Sequence, residues 1–147
     1  MEVDPNSLSD PDSLRTLLGN ALRVERHDLV LKCQVRIAKL AGEQYETALE
    51  REFWAMIAVA EELTSQKNGR KTRLNRTRQK VKRVGIKKCL EDWAFKKGKT
   101  QGFDILVGGG YPELTGEAIL IHHATEFSDD AVNAAKKRLL GYNIENE

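Results

Sequence analysis

GFDILVGGGYPELTGEAILIHH, residues 102–123, decides whether this chain is purely helical or mixed. The branched run Ile119 to Ile121 follows a segment rich in glycine and holding Pro112, so Glu117 to His123 reads as a β-strand. Phe103 to Val107 fits two patterns: Phe103, Ile105 and Val107 alternate as in a strand, whereas Phe103, Leu106 and Val107 fit one helical turn. A strand standing alone leaves its backbone N–H and C=O groups unsatisfied. The expectation is therefore a hairpin between Phe103 to Val107 and Ala118 to His122, or pairing of the strand with a second copy, which would make a homodimer.

Outward from this stretch the pattern is helical. Downstream, Ser128 reads as an N-cap followed by Asp129 and Asp130, with Lys136, Lys137 and Arg138 near the far end, an order that suits the helix dipole. Phe127 and Val132 stand at the positions of a hydrophobic staple, and Gly141 is the expected stop. At the front, Leu14, Leu17, Leu18, Ala21 and Leu22 recur at helical spacing behind Asp10-Pro11-Asp12. Leu29, Cys33, Ile37 and Leu40 resume the pattern between Asp28, a candidate N-cap, and Gly42. So short a connection predicts an antiparallel helical hairpin. Tyr45, Leu49, Phe53, Met56, Ala60 and Leu63 then mark a long central helix over 43–66, closed by Asn68-Gly69.

The expected class is mostly α with a small β part (α+β): a flexible start at 1–12, a helical module at 13–66, a basic segment at 67–100 and a small α/β end at 101–147, together forming one domain. Cys33 and Cys89 sit apart in helical apolar patterns and read as reduced core thiols. The N-terminal residues lack a basic region followed by an apolar core, and the apolar run Phe53 to Ala60 is too short to span a bilayer. A cytoplasmic protein without a membrane partner is the expectation.

Charge carries the functional reading. Lys67 to Thr100 holds fourteen of the 24 Lys and Arg against Glu91 and Asp92 alone, leaving ten bases against twenty acids elsewhere. A cationic centre of that density suits a polyanion, of which DNA and RNA are the commonest. On a helix, Arg73, Arg76, Lys80, Arg83 and Lys87 fall within a narrow arc beside Leu74, Thr77, Val81 and Val84. Gly85 breaks the run and Ile86 opens a second short helix. The candidate nucleic-acid contacts are Arg70, Lys71, Arg73, Arg76, Arg78, Lys80, Arg83 and Lys87, foremost Arg76, Lys80 and Arg83. The competing readings are an adaptor docking an acidic protein, neutralisation by the chain's own acids, and a metal-dependent nuclease.

Catalytic and cofactor motifs are wanting. Gly108-Gly109-Gly110 is followed by Tyr-Pro-Glu instead of the Lys and Ser or Thr of a phosphate cradle. Residues adjacent on a strand point to opposite faces, which separates His122 from His123 and argues against a shared metal. The nuclease reading requires the hairpin to bring Asp104 and Glu117 together around a metal ion, and the acid-x-Lys pattern is missing. No catalytic residue, metal or cofactor is expected.

Overall fold

In the computed structural model, which describes residues 3–98 and 100–145, every regular element is helical. Among the described residues there are eight α-helices: α1 (Pro11–Arg23), α2 (His27–Gly42), α3 (Ala48–Asn68), α4 (Asn75–Val84), α5 (Ile86–Phe95), α6 (Gln101–Gly108), α7 (Gly116–His122) and α8 (Asp129–Glu145). They form two compact units, Met1–Thr72 and Arg73–Glu147.

In the first unit α1 packs on α2 and α2 on α3. Asp10 caps α1 by accepting from the Asp12 and Ser13 amides, with Pro11 in the first turn. The first dozen residues, expected to be loose, include a 3-10 turn at Pro5–Ser7 with Pro5 buried, and Arg36 Nε donates to the Leu8 carbonyl at 3.0 Å. Glu25 takes a left-handed φ of 57° to turn the chain from α1 into α2. Asp28 is not the cap of α2: the helix starts one residue earlier, and its carboxylate pairs with Arg26 Nη2 at 2.8 Å. That guanidinium holds the Asp28 carboxyl down at about 2. Gly42 is needed for close packing, since a Cβ there would lie 2.8 Å from the Arg51 carbonyl. The central helix begins at Ala48, five residues later than its periodicity suggests, because Thr47 accepts from the Glu50 amide while its hydroxyl donates to the Glu50 carboxylate. This reciprocal cap overrides the apolar phase of Tyr45. Gly69, at φ 69°, ends α3 as Asn68-Gly69 predicts.

The second unit corrects the opening expectation. Glu117 to His123 is not a strand; Gly116–His122 is α7, and Phe103 to Val107 lies within α6, so the β-hairpin does not form. Two local causes decide it. Thr115 accepts from the Ala118 amide and Thr100 from the Phe103 amide, each nucleating a helix that the branched residues alone would disfavour. Helical spacing also buries Ile119 and Leu120 together while α7 packs against α5 and α8. Gly116 permits that approach: a Cβ would stand 3.0 Å from the Trp93 ring and 3.2 Å from Leu90. With the strand gone, the argument for a homodimer by strand pairing loses its premise. Ser128 accepts from the Ala131 amide at the start of α8, with Phe127 and Val132 buried. Gly141 does not close α8, which runs on to Glu145.

An ion pair lies in the interior of this unit. Glu117, 3% exposed, lies 3.5 Å from Arg138 Nε. Arg138 Nη1 donates to the Lys96 carbonyl at 2.6 Å, and the guanidinium covers the Phe103 ring at 5.7 Å. One side chain of α8 thus ties together α7, α6 and the end of α5. No helix among the described residues is long and apolar enough to cross a membrane.

Candidate nucleic-acid interface

The basic segment folds as α4 and α5 joined through Gly85 alone. At φ 89° and ψ 167°, Gly85 occupies backbone space reserved for glycine, while its amide donates to the Val81 carbonyl at 2.8 Å. Lys82 and Arg83 stand in the last turn of α4, where cations meet the negative end of the dipole. The helix has no fully buried residue. Leu74, Thr77, Arg78, Lys80 and Val81 are half-buried, whereas Asn75, Arg76, Gln79, Lys82 and Arg83 are exposed.

The eight candidate contacts separate into four groups. Arg70 and Lys71 are exposed but belong to the first unit, beyond the boundary at Thr72. Arg73, Arg76 and Arg83 are exposed in the second, and with Lys82 they have no carboxylate partner among the described residues. Arg78 is half-buried. Lys80 and Lys87 already hold internal acids: Lys80 Nζ lies 2.9 Å from Asp92, and Lys87 Nζ lies 3.3 Å from Glu126. Neutralisation by the chain's own acids therefore accounts for part of the charge and leaves the outer side of α4 uncovered. Lys99 lies outside the described residues.

Asp92 enters the charge count as one of two acids, but the count does not show which cations it holds. It takes Lys80 from α4 and, at 3.1 Å, Lys88 from its own helix, so one carboxylate bridges the Gly85 corner. The hydrogen bonds from these two lysines hold its carboxyl below the ordinary aspartate range. The Lys88–Asp92 pair was legible as an i, i+4 spacing, whereas the Lys80–Asp92 pair depends on how Gly85 folds the two helices together.

The nuclease arrangement is not assembled by a hairpin. Asp104 is exposed on α6, while Glu117 is buried beside Arg138. Burial pushes the Glu117 carboxyl above the ordinary glutamate range, which outweighs the nearby guanidinium. Gly108-Gly109-Gly110 closes α6, with Gly110 at φ 89° and the Tyr111 amide donating to the Leu106 carbonyl. His122 and His123 do not point apart as on a strand: they sit at the end of α7 with ring centroids 4.8 Å apart. Cys33 and Cys89 are free and buried, and burial raises both thiols above their usual range.

No protein-family model, no curated protein and no solved structure matches this chain. The functional reading rests on its own residues.

Proposed function

We propose that this protein binds nucleic acid, DNA before RNA, with the cations of α4 set against the phosphate backbone. The observation that carries the reading is the outer side of α4, where Arg76, Lys82 and Arg83 are exposed with no carboxylate partner among the described residues. Like charges held on one short helix repel one another, and an external polyanion relieves that repulsion. Arg73, exposed just before α4, adds a further cation, and Lys80 and Lys87 contribute by exchanging their internal carboxylates for phosphates. Phosphate contacts of this kind fix affinity and leave sequence preference to any arginine that reaches a base edge. The role is binding, without a catalytic step.

Asp92 favours one second reading. A carboxylate already satisfies Lys80 and Lys88, so an acidic protein segment is chemically acceptable to the same groups. Fluorescence anisotropy with labelled oligonucleotides at several salt concentrations separates the two. The Arg76→Ala, Arg83→Ala double variant is expected to weaken binding and flatten the log–log salt slope by about 2 for duplex DNA, while circular dichroism stays native. Unchanged affinity in a folded variant would remove this face from the reading, and no oligonucleotide binding by the wild-type protein would leave the acidic-protein reading in its place.

A further inference from the structure

Phe95 is the one exposed Phe, Tyr or Trp side chain among those described, at 52% of its surface. Scattered exposed apolar residues are ordinary on protein surfaces and by themselves require no account. Phe95 differs by its neighbours. On α5, Cys89, Leu90 and Ala94 are buried on one side. At 100° per residue Phe95 falls on the other, in the same arc as Lys88 and Asp92. Lys88 stands two turns back along the helix, about 10 Å away in rise. Exposed Lys96 and Lys97 follow directly, before Gly98 turns the chain at φ 74°.

The ring is also carried by a fixed support. Arg138 Nη1 donates to the Lys96 carbonyl at 2.6 Å, so the backbone just after Phe95 is tied to α8. Side-chain rotation remains, but the end of α5 is anchored where a ligand would meet it.

We infer that Phe95 is a stacking platform for an unpaired base, and that the ligand of the basic surface is single-stranded nucleic acid. The inference rests on the phosphate-binding reading above and deepens it. Bases inside a duplex are stacked on one another and are not available to a surface aromatic, whereas each base of a single strand offers a free π-face. An aromatic ring with cations on both sides along the chain matches how sequence-tolerant single-strand binders work: the cations follow the backbone and the ring takes a base. Lys88 on one side and Lys96 with Lys97 on the other would hold the phosphates flanking the stacked nucleotide.

The test uses the full chain and three probes: a labelled oligothymidylate, a labelled duplex of equal length, and inorganic polyphosphate, which has the charge but no bases. Wild-type protein is expected to prefer the single strand to the duplex. Phe95→Ala should weaken oligothymidylate binding about five- to 150-fold at fixed salt, leaving the salt slope and polyphosphate binding unchanged. Phe95→Trp should restore single-strand binding and add fluorescence quenching on complex formation beyond that of the wild type. If wild-type protein binds oligonucleotides but Phe95→Ala binds them equally well, or the duplex is bound as tightly as the single strand, the stacking inference is overturned and the phosphate reading survives. An equal loss of polyphosphate binding in Phe95→Ala also overturns it, because the ring would then act without a base. If wild-type protein binds no oligonucleotide, both fall.

Discussion

Glu117 and Asp92 lie in the same unit, the first beside one cation and the second beside two, yet their surroundings move their acidities in opposite directions. Glu117 is buried, its contact with Arg138 Nε is long at 3.5 Å, and desolvation raises its carboxyl above the ordinary range. Asp92 is about one-third exposed, it has two lysines at 2.9 and 3.1 Å, and their hydrogen bonds lower it. An ion pair in the interior is hard to exchange, since removing one partner strands the other away from water. A pair at the surface is weak and exchangeable, because solvent screens it and can replace either partner. The first arrangement belongs to the fold of this unit, and the second to its chemistry with an external anion.

The sharpest way to break this contrast is to remove Arg138. Arg138→Met should destabilise the second unit by about 3–5 kcal/mol, as it leaves Glu117 without its cation and the Lys96 carbonyl without its donor. Adding Glu117→Leu should recover much of the loss, because an apolar pair of similar bulk removes the stranded carboxylate. Urea midpoints of the single and double variants measure both. A single variant as stable as wild type would show that the interior pair does not hold the unit together.

The two carboxylates also differ in how their sequence context could be read. Helical character was legible from the 3.6-residue period in α1 and α2, from the cap and the order of charges in α8, and the Gly85 break between α4 and α5 from one residue. In the C-terminal stretch the branched run Ile119 to Ile121 favours a strand, but Thr115-Gly116-Glu117, with an N-cap and an acid in the first turn, outweighs it. Thr47 and Glu50 set the start of α3 in the same way, against the apolar phase. Capping chemistry is local, so both helix starts are visible in the sequence. The partners of Arg138 and Lys80 are not: Glu117 and Asp92 reach them through packing of separate helices, and no spacing along the chain encodes either pair. Fourteen cations could be counted without learning which of them the fold had already neutralised. Phe95 was legible as a residue, but its exposure required knowing which side of α5 the core takes.

The pH dependence of stability sharpens the comparison with a smaller effect. Glu117 binds its proton more readily in the folded chain than in the unfolded one, so its contribution is present in full below the ordinary glutamate range and is lost as pH rises through its raised folded value. Asp92 has the opposite sign: its contribution is present above the ordinary aspartate range and is lost as pH falls through its lowered folded value. Denaturation midpoints measured upward from about pH 4 should therefore fall less steeply in Glu117→Gln than in wild type. Measured below about pH 4, the acid-side loss should be reduced in Asp92→Asn. Parallel profiles for the wild type and both variants would erase the distinction between the two sites.

The smallest effect on folding should accompany a measurable one on binding. Asp92→Asn removes two surface pairs, each contributing at most about 1 kcal/mol, so stability near neutral pH should change little. In the nucleic-acid complex the same carboxylate is a competitor: a phosphate approaching Lys80 and Lys88 must displace Asp92 or accept repulsion from it. With asparagine there, both ammonium groups are free to meet phosphates, and affinity should rise about three- to tenfold at fixed salt. For duplex DNA the log–log salt slope should steepen by up to about 2, one increment for each lysine released; a single strand should show a slightly smaller change. Slope and affinity together identify the cause, since an effect through altered shape of the α4–α5 corner would change affinity without adding counterions to the exchange. If neither moves in Asp92→Asn while the Arg76→Ala, Arg83→Ala double variant weakens binding, the anion contacts only the outer side of α4, and Asp92 serves to hold the two helices at their glycine corner.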